Sequence, residues 1–304
     1  MPLAGLLWWV TGFGHWILDG LGPVPAADTD AAAPDGATHP ALPMIGSSLH
    51  DLVLGGIVGG LCGGTTAAVA RHPRRLPAAA AAATGVALAL TVTLVQSVSV
   101  LESIGDSYFG DARVLIGLSA VTVVASWSGW CVGAGVLAGS RGVAVALAVA
   151  AGAAPMWVTN LVAPRVSVAE TGTVASGAPW VGGALLTAAL VVIARRRPAD
   201  VGLWPLVVAA AWVIGPVVTA AGYAEVYLRP GAGEPDLSAV LSASWDVFGL
   251  ALAPSRRPVL PWIVALAVAA MLTAALHQNA RPPARPQLLR RKSSSSGPAV
   301  ADPD

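Results

Sequence analysis

Charged residues are scarce in this sequence, and their scarcity excludes the commonest class of protein. Only 11% of the 304 residues are Asp, Glu, Lys or Arg, and 55% are hydrophobic. Soluble globular proteins carry about 25% charged residues. Long apolar runs recur along the whole chain and give a mean hydropathy of +0.70, which is typical of membrane proteins.

Several kinds of functional motif are also missing. The net charge of +1 provides no basic surface for nucleic acid. The chain lacks the P-loop pattern GxxxxGK[ST] and a GxGxxG after a strand, so no nucleotide site is predicted. The two cysteines, Cys62 and Cys131, lie in apolar runs outside any CxxC or Cys/His motif, which indicates packing rather than zinc or redox chemistry. The sequence predicts no cofactor.

The apolar runs predict an all-α fold, a polytopic membrane bundle with about eight transmembrane helices over residues 1–277. Each run is near the roughly 20 residues that a helix needs to cross a bilayer. A β-barrel would need alternating segments of about ten residues, whereas these runs are continuous. The predicted spans are residues 3–22, 50–70, 77–101, 112–138, 142–162, 178–194, 201–222 and 259–277.

The distribution of basic residues predicts the orientation. Twelve of the 17 Lys and Arg residues follow an even-numbered span, and most acids lie on the other side. Because Lys and Arg concentrate in cytoplasmic loops, both termini are predicted in the cytoplasm. The preference for Arg over Lys fits a genome rich in G and C, so the plasma membrane of a bacterium is the predicted location. In the alternative interpretation residues 1–26 are a cleaved signal, although no basic residue precedes their apolar run.

Three segments lie outside the predicted spans. Residues 23–48, rich in Ala, Pro, Asp and Gly, predict a flexible outer loop. Residues 223–258 predict a second outer loop with a short amphipathic helix, which Asp236 caps and Pro254 ends. The Pro-, Arg- and Ser-rich residues 278–304 predict a disordered cytoplasmic tail.

Six glycines in the second span predict close helix packing. Glycines four residues apart share one helix face, where the missing side chains let another backbone approach. We expect only one of the two rows to face a neighbouring helix within the chain; the alternatives are a self-association face or the wall of a pathway. Small residues in the fourth span, Ala125, Gly129 and Gly133, are the expected partner. The two rows are Gly55, Gly59 and Gly63, and Gly56, Gly60 and Gly64.

The strongest candidate for a polar site is the pair His15 and Asp19 near the outer end of the first span. An acid in the last turn of a helix opposes the helix dipole and needs a donor. His15 lies one turn earlier on the same face, so we expect the two side chains to pair. The second span begins nearby with His50 and Asp51. Asp51 resembles the acid of a capping box begun by Ser48.

These residues leave a structural and a chemical interpretation open. His15, Asp19 and His50, with His39 as a possible addition, are weak candidates for a metal site, because two histidines and a carboxylate can bind zinc. The favoured interpretation is a structural pair that locks the first helix hairpin. No metal is therefore predicted.

Three functions are compatible with the sequence. Few charged residues fall inside the spans, which disfavours charge-coupled transport. The first hypothesis is a permease-like or channel-like subunit for a neutral or lipidic solute. The second is a structural or regulatory protein that packs with another membrane protein or a second copy. The third is a membrane-embedded metal-dependent hydrolase using His15, Asp19 and His50, although the sequence leans against an enzyme.

Overall fold

A computed structural model of the chain describes residues 1–19, 40–69, 75–104, 112–195, 197–228 and 236–279. All regular structure in these residues is helical, which confirms the predicted all-α fold. The helices are α1 (Pro2–Gly12), α2 (Gly14–Leu18), α3 (Leu49–Val69), α4 (Arg75–Ile104), α5 (Ala112–Ala134), α6 (Ser140–Val162), α7 (Val168–Ala194), α8 (Trp204–Leu228), α9 (Leu237–Leu252) and α10 (Leu260–Asn279).

Seven of the described helices, α3 to α8 and α10, are long and apolar enough to cross a membrane. They correspond to seven of the eight predicted spans. α3 is the most buried of them and contacts α1, α4, α5, α6 and α8. A second apolar core, rich in alanine and leucine, joins α6, α7, α8 and α10. α3 is therefore the central helix of one half of the bundle, and α6 and α8 link the two halves.

The first predicted span, residues 3–22, is interrupted at Phe13. The backbone there leaves the helical region (φ −118°, ψ 25°), which separates α1 from α2. Glycines on both sides of Phe13 weaken the helix. The Phe13 ring packs against the edge of Trp8 and over Gly55 in α3. Because the predicted span continues beyond the described residues, its crossing stays a prediction.

Two helices extend at least six residues beyond their predicted bounds. α7 begins ten residues before the predicted start at 178, because Ser167 and Glu170 form a capping box: the Glu170 carboxylate accepts the Ser167 main-chain N–H at 3.1 Å. α8 continues six residues beyond the predicted end at 222. The extension of α8 places Glu225 in a buried helical position.

Residues 40–48 are packed against the bundle, unlike the flexible outer loop expected there. Leu42 and Met44 are fully buried. The side chain of Gln96 accepts the main-chain N–H of Ala41 at 2.7 Å, and Ser97 accepts that of Leu42 at 2.9 Å. Side chains of α4 thereby accept hydrogen bonds from main-chain N–H groups that lie outside any helix and would otherwise be buried without a partner.

Several sequence predictions fall outside the described residues. They concern the loop at 23–39 with His39, and the tail from 280 onward.

α9 runs antiparallel to α8. It begins at Asp236, whose carboxylate accepts the Ser238 hydroxyl at 2.8 Å and the Ser238 N–H at 3.0 Å. The hydroxyl bond first, and the N–H bond second, lower the pKa of Asp236. Its last residue, Leu252, accepts the indole N–H of Trp212 at 2.9 Å. The 16 residues of α9 are about 24 Å long, so the start of α9 lies about 24 Å from Leu252 and its partner Trp212. The eight steps from Leu228 to Asp236 reach at most about 29 Å, so α9 must extend toward the end of α8.

α10 continues in the same direction as α9. Gly183 of α7 lies against Pro261, and four residues later Thr187 donates to the carbonyl of Ala265 at 3.3 Å. α10 is therefore parallel to α7, and α7 is antiparallel to α8. α9 and α10 consequently follow one another along the bundle, separated by residues 253–259, whose only regular structure is one 3₁₀ turn at Pro254–Arg256.

Candidate functional site

One polar cluster lies at the end of the bundle where α2, α3 and α8 meet. Its most buried member is Glu225, which is 7% exposed. Glu225 Oε1 accepts the main-chain N–H of His50 at 2.7 Å and lies 2.6 Å from His50 Nδ1. Glu225 Oε1 thus contacts both the main chain and the ring of His50, and these two contacts join the last turns of α8 to the start of α3.

Asp51 extends the cluster to α6 and α2. Its Oδ1 accepts the amide N–H of Asn160 at 2.8 Å and lies 3.3 Å from His50 Nε2. His15 Nε2 lies 3.5 Å from the same oxygen but makes no hydrogen bond, although the atom is buried. His50 is therefore placed between two carboxylates, and the expected capping acid Asp51 is also a contact between helices.

Asp19 has a different partner from the one expected. Its Oδ1 accepts from Arg165 Nη2 at 2.7 Å, and the same Nη2 donates to the His15 main-chain oxygen at 3.2 Å. The expected pair of His15 and Asp19 is wrong because Arg165 binds the Asp19 carboxylate, while His15 Nε2 lies beside Asp51. Arg165, in the turn after α6, supplies a permanent positive charge that a histidine does not.

Sequence reasoning missed three members of this cluster. Asn160 and Arg165 approach from the end of α6, more than 100 positions along the chain from their partners. Glu225 was assigned to an outer loop. A signal for Glu225 exists: Val226 and Leu228 continue the apolar pattern, and no proline or glycine interrupts it before Pro230.

The metal-dependent hydrolase hypothesis gains no support from this geometry. Asp19 is directed to Arg165 rather than to His15 and His50. Across the described residues, no group of three or more His, Cys, Asp or Glu side chains is placed to hold a metal ion. What the cluster does is join α2, α3, α6 and α8 by polar contacts at one end of the bundle.

Both glycine rows of α3 contact neighbouring helices. A methyl group at Gly59 would overlap the main-chain oxygen of Trp8 in α1, and one at Gly60 would overlap that of Ser126 in α5. From the other side, methyl groups at Gly129 and Gly133 of α5 would meet main-chain oxygens of α3. The expectation that only one row faces a neighbour is wrong, because α3 is central and packs closely on two adjacent faces, about 100° apart around the helix. The rest of the rows behaves likewise: Gly55 and Gly63 meet α1, and Gly56 and Gly64 meet α5.

A second polar region lies at the break between α9 and α10. Prolines cause this break, because a residue before proline avoids helical backbone. Ala253 precedes Pro254 with ψ 128°, and Arg257 precedes Pro258 with ψ 151°. Arg257 is partly buried, with its guanidinium 4.8 Å from the centre of the Trp212 ring.

Arg257 replaces a backbone hydrogen bond that α8 lacks. In a helix the carbonyl of Trp212 would accept from residue 216, but Pro216 has no N–H. Arg257 Nη1 donates to that carbonyl at 2.7 Å. Gly215 provides the room, since a methyl group there would lie 2.6 Å from Arg257 Nη2. Arg257, which lies in the break between α9 and α10, therefore bonds the carbonyl that Pro216 leaves unpaired in α8.

This second region lies near the middle of the bundle. Gly152, near the midpoint of α6, packs against the main-chain oxygen of Ala211, which is next to Trp212. Glu225 is 13 residues beyond Trp212 along α8, about 20 Å along the helix. The polar cluster at the bundle end and the arginine at its middle are therefore separate regions.

Two apolar grooves lie beside Met1. One, of about 470 Å³, separates the start of α1 from the end of α3 and the start of α4, and includes Ala4, Thr66 and Ala81. The other, of about 380 Å³, lies between α1 and α4 and includes Gly5 and Leu88. The lining of both grooves is mostly apolar.

Comparison with protein-family models, curated proteins and solved structures finds no match.

The two polar regions differ in the chemistry that they offer. In the end cluster, carboxylates, histidines and an amide are mostly paired with one another. At the break, Arg257 uses one guanidinium N–H on the Trp212 carbonyl, and no carboxylate among the described residues lies at ion-pair distance from it. The end cluster can hold helices together, whereas the break offers donors to a ligand.

Proposed function

We propose that the protein is a multi-pass protein of the bacterial plasma membrane with both termini in the cytoplasm. The seven long apolar helices support membrane insertion. Basic residues at the bundle end opposite the polar cluster support the orientation, because that end then faces the cytoplasm. They are Arg75, Arg141, Arg195 and Arg197.

In that membrane, the protein acts as a permease-like subunit for a lipidic or neutral solute. The observation that carries this proposal is the break between α9 and α10 at the middle of the bundle, beside Pro216 of α8. Irregular backbone at membrane depth is tolerated only where protein buries it or where it lines a cavity. Transporters use such discontinuous helices near the bilayer midplane to form solute sites. The apolar lining of the two grooves beside Met1 favours a solute with a hydrocarbon part.

The test is movement of a lipid across a reconstituted vesicle membrane. Vesicles contain a fluorescent phosphatidylglycerol in both leaflets, and dithionite bleaches only the outer leaflet. We expect protein-containing vesicles to lose clearly more than half of their fluorescence, and protein-free vesicles to lose about half. The double variant Pro254→Ala, Pro258→Ala, which lets a helix continue through the break, should reduce the excess loss.

The matched control is Pro198→Ala, which removes a proline from the turn between α7 and α8, at the end of the bundle and away from the break. It should leave lipid movement unchanged. Wild-type vesicles that bleach no further than protein-free vesicles would contradict permease function for lipids.

A second function is favoured by the close packing of α3. Both of its glycine rows are occupied by helices of the same chain, so the half of the bundle around α3 is a filled core. A filled core suits a structural or regulatory protein that contacts other membrane proteins through its outer faces. Absence of lipid movement in the vesicle experiment would favour this role.

A further inference from the structure

We propose that Arg257 forms an anion-binding site in the break between α9 and α10, and that the site takes the phosphate group of an anionic amphiphile. The proposal narrows the solute class of the proposed function and rests on it. It concerns the middle of the bundle, away from the polar cluster of His50 and Glu225.

Arg257 has donors to spare. A guanidinium carries five N–H groups in a fixed plane that matches the oxygens of phosphate. One of them donates to the Trp212 carbonyl, and the Trp212 ring covers one face of the group. No other acceptor for Arg257 is found among the described residues. The guanidinium is thus held in a fixed position with several N–H groups available.

The position of Arg257 makes an anionic ligand favourable. An arginine at membrane depth is costly, and such residues pair with an opposite charge or face a water-filled space. The nearest charged neighbour in sequence is Arg256, which is exposed and adds a second positive charge. The N-terminus of α10 begins three residues after Arg257 and adds the positive end of a helix dipole.

The surroundings select an amphiphile rather than a strongly hydrated ion. Leu250, Leu260 and Ile263, on either side of the break, are exposed apolar side chains. A phosphate at Arg257 would therefore have hydrocarbon-compatible surface next to it. A lipid headgroup and free phosphate share the oxyanion chemistry, and the experiment distinguishes them.

The experiment measures binding in a background that protects the fold. Arg257→Gln alone would leave the Trp212 carbonyl unpaired, so it is combined with Pro216→Ala, whose new N–H can take over that carbonyl. The three proteins compared are Pro216→Ala, Pro216→Ala with Arg257→Gln, and Pro216→Ala with Arg256→Gln as the matched control. The probes are short-chain phosphatidylglycerol, phosphatidylcholine of the same chain length, and inorganic phosphate, each titrated against the midpoint of thermal unfolding in detergent.

We expect phosphatidylglycerol to raise the unfolding midpoint of the Pro216→Ala protein well above the effect of phosphatidylcholine. Arg257→Gln should weaken the apparent affinity at least tenfold, and Arg256→Gln should weaken it far less. A comparable rise with inorganic phosphate identifies free anion as sufficient, whereas a rise with the lipid alone shows that the hydrocarbon part is needed. Equal shifts with and without Arg257, or no shift with either anion, overturn the proposal.

This outcome is separable from that of the vesicle experiment. Binding that depends on Arg257 without any lipid movement would leave the anion site standing and remove the permease function. Lipid movement together with anion binding that is unchanged by Arg257→Gln would support the permease function and remove the anion site.

Discussion

Glu225 and Asp19 are carboxylates at the same end of the bundle, but their surroundings differ. Glu225 is buried and accepts two groups of His50. Asp19 is 39% exposed and pairs with Arg165, which is 32% exposed. Buried and exposed pairs of this kind respond differently to loss of one partner.

Glu225→Leu should therefore destabilise the protein far more than Asp19→Leu. Removing the acid leaves the main-chain N–H and Nδ1 of His50 without their acceptor, at a cost of about 1–3 kcal/mol for each unsatisfied group. Removing the exposed Asp19 costs about 0–1 kcal/mol. Glu225→Gln keeps an acceptor oxygen and should lie between the two. The free energy of unfolding in mixed detergent micelles is the measurement, and similar values for Glu225→Leu and Asp19→Leu would contradict the described geometry.

The sequence supports only part of the polar cluster. His15, His50 and Asp51 were expected near one another because they lie at facing ends of consecutive apolar segments. Their partners could not be predicted, since Asn160, Arg165 and Glu225 come from distant segments, and nothing local fixes which helix ends meet. The role of Arg257 was equally inaccessible, because it depends on a carbonyl that Pro216 leaves unpaired in another helix.

At the scale of elements, α3 is held by close backbone contacts on two adjacent faces. A methyl group on either face would overlap a main-chain oxygen, and main-chain atoms cannot move aside as a flexible side chain can. The chain also contains a glycine without such contacts, Gly117 in α5, which has no atom within 4 Å of the Cβ position.

Gly59→Ala and Gly60→Ala should both destabilise the protein, by about 1–3 kcal/mol each. Gly117→Ala is the matched control: it adds the same methyl group to open space and should be neutral or stabilising by up to about 1 kcal/mol. Thermal or denaturant unfolding in detergent gives the comparison. If Gly59→Ala or Gly60→Ala is as mild as Gly117→Ala, that row is not closely packed.

Element boundaries show where sequence patterns are weak. The start of α7 was placed too late because Thr, Ser, Gly and Pro at 171–179 resemble a loop. The spacing of Ser167 and Glu170 is a capping-box signal that marks the true start. The sequence contains no comparable signal that both glycine rows are buried. A spacing of four residues indicates that a helix face can pack closely, but it does not indicate whether a neighbouring helix covers that face.

At the scale of the whole molecule, the orientation is open to a direct test. In a background with Cys62 and Cys131 replaced by alanine, we expect a cysteine at Ala239 to react with an impermeant maleimide on intact cells. A cysteine at Arg197 should react only after permeabilisation. The physical reason is the concentration of arginine at the end of the bundle that contains Arg197. Labelling of position 197 on intact cells would reverse the orientation.

The general architecture could be predicted, because apolar length and charge asymmetry are properties of single segments. Seven described helices match predicted spans for that reason. The interruption at Phe13 and the continuation of α9 into α10 are different, because they depend on which helix each segment packs against. A sequence records the length of an apolar run more clearly than its direction or depth.

The break between α9 and α10 also bears on biogenesis. α9 has only 16 residues and includes Ser238, Ser242 and Asp246, so it is too short and too polar for the translocon to release into lipid on its own. We expect α10 to insert first and α9 to move inward later, against an α8 that is already in place. Assembly of this bundle would then be sequential, with its last step made after translation of α10 is complete.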